Sequence, residues 1–121
     1  MSINKARRYI SRLFRSGKDL APEASEAFFH RLPNKISVSW FRDDGYIIGE
    51  VETDKYKFKT QGEDAEDFIF MVNDAVYTMY DIPENYRVLN LKDYSPPLKA
   101  QLALRNMSVN SSTLELLKVP A

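Results

Sequence analysis

The stretch that decides the fold is ISVSWFRDDGYIIGEVE, residues 36–52. In its first half, apolar residues alternate with serines, and this period of two is typical of a strand with one buried face. The sequence Asp43-Asp44-Gly45 follows, and its glycine readily adopts the positive φ of a tight turn. Residues 46–52 are therefore predicted to return as the second strand of a β-hairpin.

A third strand and a long helix follow the hairpin. Tyr56, Phe58 and Thr60 alternate with lysines, which predicts a strand that extends the hairpin into a meander. After Glu63 the apolar period changes to about 3.6 residues, and one continuous apolar face runs on to Met79. The sequence therefore predicts an amphipathic helix against the sheet.

The predicted helix carries signals at both ends and on a second side. Asp64 is a suitable N-cap, and the acidic first turn complements the helix dipole. Pro83 ends the helix. Phe70, Asn73 and Tyr77 point away from the main apolar face, so a second buried face is expected, covered by the N-terminal helices or by a second copy of the chain.

The flanking sequence predicts shorter elements. They are helices at 3–15, about 22–32 and 98–107, a strand at 86–92, and at 112–121 either an edge strand or a loose tail. The expected fold is a single α+β domain in which an antiparallel sheet of three or four strands packs against one long helix. Within it we distinguish an N-terminal helical extension (1–33), an α+β core (34–94) and a C-terminal helix and tail (95–121).

The absence of cysteine and the single histidine exclude several kinds of catalytic and metal site. The chain of 121 residues contains no cysteine, which excludes disulfide scaffolds, thiolate metal sites, iron–sulfur clusters and cysteine nucleophiles. His30 is the single histidine and supports neither a catalytic triad nor a multi-histidine metal site, so a surface or helix-end position is expected. We therefore predict a protein without catalytic residues, cofactor or metal.

No stretch is apolar enough for a secretory signal or a membrane span, and a cytoplasmic location is expected.

The formal net charge of zero conceals an uneven distribution. Lys and Arg outnumber Asp and Glu by nine to three in residues 1–42 and by three to one in residues 94–121, whereas in residues 43–93 they are outnumbered by thirteen to five. This pattern predicts a basic N-terminal surface and an acidic middle of the chain.

Residues 36–76 read strand, turn, strand, strand, helix, with DGYIIGEV (44–51) in the hairpin and TQGEDAED (60–67) at the helix start. This segment resembles the HicB-like antitoxin domain. A glycine-aromatic hairpin and a Thr-x-Gly-acidic helix start recur at about this spacing in that family. The resemblance covers about a third of the chain.

The resemblance implies a βββα core with a further strand and helix after it. It also implies a protein that holds a small, basic, RNA-cleaving HicA-type toxin inactive by covering its RNA-facing surface. An acidic segment suits a partner that meets phosphate with basic residues. The residues expected to bind the partner are the aromatic anchors Tyr46, Tyr56 and Phe58 and the acids Glu50 and Glu52. The sequence leaves the oligomeric state open, with a homodimer as one alternative.

Two other functions remain open from the residues alone. Lys5, Arg8, Arg12 and Arg15 form one stripe of the first predicted helix and could meet nucleic-acid phosphates, in which case affinity would fall steeply with salt. Acids at and beside the hairpin could instead hold magnesium in a nuclease. These acids are Asp43, Asp44, Glu50, Glu52 and Asp54. A solvated charged face and ordinary turn acids are the simpler interpretations.

Overall fold

The computed structural model describes residues 22–89 and 93–118, so the helix predicted at 3–15 lies outside the described residues. The helices in the described ranges are α1 (Pro22–Arg31), α2 (Ala65–Met79), α3 (Glu84–Leu89) and α4 (Leu98–Arg105). The strands are β1 (Lys35–Asp43), β2 (Tyr46–Glu52), β3 (Lys57–Gly62) and β4 (Ser111–Leu117). This arrangement has the predicted α+β class. None of the described helices has the length and apolarity needed to cross a lipid bilayer.

The strands form one antiparallel four-stranded sheet in the order β3-β2-β1-β4. The first three strands are the predicted meander, and β4 pairs along the other side of β1. The C-terminal segment is thus an edge strand rather than a loose tail. The hairpin turn has positive φ at both Asp44 (50°) and Gly45 (82°), which is the two-residue turn geometry that suits the twist of antiparallel strands.

One face of the sheet is buried beneath the helices, and the alternation predicted from residues 36–40 is confirmed. Ile36, Val38 and Trp40 are at most 2 % exposed. Phe68 and Val72 of α2 pack on this face together with Val51 of β2. The core therefore lies between the helix layer and one side of the sheet, and none of the described helices packs on the other side.

The start of α2 has the predicted cap. The Asp64 carboxylate accepts the N–H of Asp67 at 2.8 Å, and the Asp67 carboxylate accepts the N–H of Glu63 at 2.9 Å. These two bonds satisfy backbone donors that have no partner inside the helix. Together, these two hydrogen bonds fix the path of the chain from β3 into α2.

Part of the second buried face of α2 is covered by the chain that follows α3. The side-chain amide of Asn73 donates to the Tyr94 carbonyl at 2.8 Å, and the Asn73 oxygen accepts the Tyr94 N–H at 2.9 Å. The Tyr77 hydroxyl donates to Asp93 at 3.2 Å. Asn73 and Tyr77 are fully buried as a result.

The strand predicted at 86–92 is wrong, because Glu84–Leu89 is the helix α3. The carbonyl of Pro83 accepts the N–H groups of Tyr86 and Arg87, which starts a helical turn. Tyr86 is 1 % exposed, so this turn directs its side chain into the core. In this helix the Tyr86 ring lies edge-on to that of Tyr77 in α2, with centroids 6.2 Å apart.

Candidate functional site: the open face and the acidic groove

The sheet face opposite α2 presents exposed or half-buried side chains, and we call it the open face. It is formed by the residues that alternate with the buried ones along each strand. Its central members are Ser37, Ser39 and Phe41 of β1, Tyr46, Ile48, Glu50 and Glu52 of β2, Lys57, Lys59 and Gln61 of β3, and Ser111, Thr113, Glu115 and Leu117 of β4. The register sets these side chains side by side in rows across the sheet.

A trough of about 420 Å³ crosses the open face above Ser39. Its floor is low because Ser39 and the neighbouring Thr113 are small, and their hydroxyl oxygens lie 3.3 Å apart. Phe41 and Ile48 lie on one side of it and Glu50 and Lys59 on the other. Phe41 is 48 % exposed, so the trough has one apolar wall and one charged wall.

Charges on β2 and β3 compensate one another. The Lys57 ammonium lies 3.1 Å from the Glu50 carboxylate, and Glu52 is the direct cross-strand neighbour of Lys57. The hydrogen bond to Glu50, and then the charges of Glu50 and Glu52, raise the pKa of Lys57. Glu50 is therefore already engaged with a lysine.

A second depression, of about 320 Å³, lies where the hairpin tip meets the start of α2. We call it the acidic groove, because Asp43, Asp44, Glu63 and Asp64 lie along it. Its exposed apolar members are Tyr46, at 41 %, and Met107, at 74 %. Since Tyr46 belongs both to this groove and to the open face, the two surfaces are continuous.

Arg42 and Arg105 also line the acidic groove, but both have other contacts. The Arg42 guanidinium donates to the carbonyls of Leu104 and Val109, each at 2.7 Å, and its flat side lies over the Trp40 ring. The Arg105 guanidinium lies 4.0 Å from the Glu66 carboxylate. Both guanidinium groups keep their charge, but four acids and two arginines line the groove, so its net charge is negative.

The structure separates the five residues predicted to bind a partner. Tyr46, Glu50 and Glu52 lie on the open face. Tyr56 lies immediately before β3 and contacts the ring of Tyr80 edge-on, with centroids 5.2 Å apart. Phe58 is on the helix side of the sheet, half-buried against the core.

Two apolar members of the combined surface were not anticipated. Phe41 is one of the alternate residues of β1 that face solvent. Serines occupy the preceding positions on this face, so an aromatic residue there could have indicated an exposed apolar contact. Met107 comes from the connection between α4 and β4, and no sequence pattern links that connection to the hairpin tip. The tertiary fold alone brings it there.

The acids considered for a metal site do not converge. Within residues 22–89 and 93–118, no group of three or more His, Cys, Asp or Glu side chains is placed to hold a metal ion. Asp54 accepts a hydrogen bond from the Tyr80 hydroxyl at 3.1 Å and lies at the opposite end of β2 from the tip acids Asp43 and Asp44. The turn positions of these acids account for them.

His30 and the basic stripe complete the set of predicted residues. His30 is exposed near the end of α1, as expected, with its Nε2 3.5 Å from the Glu26 carboxylate. Lys5, Arg8, Arg12 and Arg15 lie outside the described residues.

No protein-family model matches the chain, and no curated protein or solved structure is significantly similar to it.

Proposed function

We propose that the chain is a partner-binding protein without catalytic activity, which neutralises a small basic RNA-cleaving toxin as HicB-like antitoxins do. One observation supports this most directly. The exposed aromatic side chains Phe41 and Tyr46 lie beside the acidic groove on one continuous surface. A basic protein that also offers an apolar contact would find both kinds of complementary group there.

The apolar part of this surface supplies affinity. Large aromatic side chains near the centre of an interface carry much of its binding energy, because they exclude water over a large area. Phe41 and Tyr46 have the exposed area for this role, and the trough beside Phe41 can receive a protruding side chain. We therefore place the centre of the interface at Phe41 and Tyr46 rather than at Tyr56 or Phe58.

The acidic part supplies encounter rate and discrimination. Asp43, Asp44 and Glu63 present carboxylates at the hairpin tip, where lysine and arginine side chains of an RNA-binding protein can approach. Opposite charge at the edge of an interface mainly accelerates association and rejects acidic partners. Once the partner's basic residues contact these acids, they are no longer available to bind RNA phosphates.

The experiment is a pull-down of the tagged chain from its native lysate, with and without nuclease. We expect a small basic protein that remains bound after nuclease treatment and whose RNA cleavage stops when the purified chain is added at equal molarity. Recovery of nucleic acid in place of such a protein, lost when Arg8, Arg12 and Arg15 become alanine, would refute the proposal and favour the basic stripe.

Surface variants then test the proposed interface against the captured partner. Phe41→Ser combined with Tyr46→Ser should weaken binding about thirtyfold or more, the equivalent of about 2 kcal/mol for lost aromatic anchors. Leu98→Ser combined with Leu102→Ser is the matched control, because these leucines are 68 % and 55 % exposed on α4 and should leave affinity unchanged. Equal losses for both pairs in calorimetric titrations would show that the interface lies elsewhere.

A further inference from the structure

The outer edge of β4 has unpaired backbone groups at known positions. Asn110 accepts the N–H of Arg42 at 2.9 Å, and Lys118 donates its N–H to Asn34 at 2.8 Å, so even-numbered residues of β4 direct their backbone groups to β1. Because these directions alternate along a strand, the N–H and C=O groups of the odd-numbered residues point outward. No other strand of the described residues pairs with Ser111–Glu115 on that side.

Both ends of this stretch are closed. Lys118 forms an antiparallel bridge with Tyr94, and since its own backbone groups face β1, Tyr94 lies along the outer edge. At the other end, the N–H of Val109 donates to the Asn106 carbonyl at 2.9 Å, so the chain turns away before the strand begins. The accessible edge is therefore residues 111–115, and we call it the edge window.

The edge window is complementary to itself. In an antiparallel pair centred on Thr113, Ser111 of one copy faces Glu115 of the other, and the two Thr113 residues face each other. All outward groups of both windows are then matched, in about six backbone hydrogen bonds. Glu115 faces a serine hydroxyl that can donate to it, whereas a pair centred on Glu115 would oppose like charges.

We propose that two copies of the chain associate through their edge windows, which joins the two sheets into one. The other edge of the sheet does not offer this contact, because Lys57 and Lys59 of β3 would oppose their counterparts in a second copy. The interface is small, so association is weak and the dimer fraction rises with protein concentration. The proposal rests on backbone groups of β4 and is independent of the toxin-neutralising function.

Cysteine cross-linking tests the register directly, because the chain has no cysteine of its own. In a hydrogen-bonded antiparallel pair the Cα atoms of facing residues are about 5.5 Å apart, within the range that a disulfide spans. Thr113→Cys should therefore form a disulfide-linked dimer in glutathione buffer, at least about tenfold faster than Gln61→Cys on the outer strand β3, because pairing raises the effective thiol concentration. Ser111→Cys and Glu115→Cys should cross-link slowly alone but quickly when mixed.

Sedimentation velocity provides the second measurement, on the unmodified chain. The unaltered protein should shift from monomer to dimer as its concentration rises. Thr113→Pro should stay monomeric with an unchanged circular dichroism spectrum, because it removes an outward N–H and no bond to β1. The proposal is overturned if the unaltered protein remains monomeric at every concentration, or if Thr113→Cys cross-links no faster than Gln61→Cys.

Discussion

Gly49 and Gly62 show how one residue of α2, Phe68, determines two strand positions. A Cβ at Gly49 would lie 2.5 Å from the Cζ atom of Phe68, and a Cβ at Gly62 would collide with the backbone of residue 68 itself. Phe68 is 2 % exposed and occupies the space that the missing side chains leave. The two glycines therefore let α2 approach the sheet closely enough to bury its apolar face.

Gly49→Ala is expected to destabilise the fold by about 1–3 kcal/mol, because the added methyl group must displace a packed ring. In the background of Phe68→Leu the same substitution should cost much less, since the smaller side chain no longer reaches that position. Urea unfolding of the two single variants and the double variant gives this interaction free energy. Additive costs would show that the ring does not determine position 49.

At the scale of elements, Arg42 joins α4 to the sheet. Its guanidinium donates to the carbonyls of Ala103, Leu104 and Asn106 at the end of α4, and to Val109 in the connection that follows. The last carbonyls of a helix have no partner within it and attract a cation. One side chain of β1 thereby fixes the path from α4 into β4, and with it the position of the edge window.

Arg42→Met should cost about 2–3 kcal/mol, because several half-buried carbonyls lose a charged donor. Arg42→Lys should recover only part of this, since an ammonium cannot reproduce the planar fork of donors. Unfolding by urea measures the cost, and slower hydrogen exchange in α2 than in β4 would show that the damage is local. The assignment fails if the lysine variant is as stable as the original chain.

The sequence was informative where one face of an element decides its structure. The period of residues 36–52 predicted the hairpin, and the apolar stripe after Glu63 predicted α2, because burial of a single face imposes those periods. The segment around Tyr86 was mispredicted because its helix depends on a distant buried contact. Phe58 faces the same side of its strand as Thr60, and the lysines alternate with them. Sequence alone cannot tell which of the two sets faces the helix.

The same distinction applies to the candidate site. Tyr46, Glu50 and Glu52 were predicted because they belong to one recognisable hairpin, and the structure places them on the open face. The acidic groove could not be predicted as a site, because its parts come from the hairpin, α2 and the connection after α4. Such a juxtaposition depends on packing between elements that are far apart in the chain.

At the scale of the whole molecule, the helices and the end of the sheet meet around one buried carboxyl group. Asp93 is 6 % exposed and accepts hydrogen bonds from the hydroxyl groups of Tyr86 at 2.9 Å and Tyr77 at 3.2 Å. Lys118, near the end of β4, donates to the carbonyls of Phe29 and Leu32 and adds a positive charge nearby. The packing of α1, α2 and α3 thus depends on a polar centre inside an apolar core.

Burial raises the pKa of Asp93 above its ordinary value of 3.8, although the two tyrosine hydrogen bonds and the charge of Lys118 act in the opposite direction. The folded state therefore binds the Asp93 proton more tightly than the unfolded state does. The resulting stabilisation is complete below the unfolded pKa and is lost as pH rises through the folded pKa. Acid should thus strengthen this one contribution, whereas most paired carboxylates are weakened by acid.

The test compares the unaltered chain with Asp93→Asn in urea unfolding over a series of acidic to neutral pH values. Relative to the asparagine variant, which cannot titrate at this position, the unaltered chain should lose stability as pH rises and then reach a constant difference. Tyr86→Phe removes a donor that stabilises the carboxylate, so in that background the fall should extend to higher pH. A stability difference between the unaltered chain and the asparagine variant that stays constant throughout the acid range would show that Asp93 titrates alike in the folded and unfolded states, and that the polar centre is not coupled to folding.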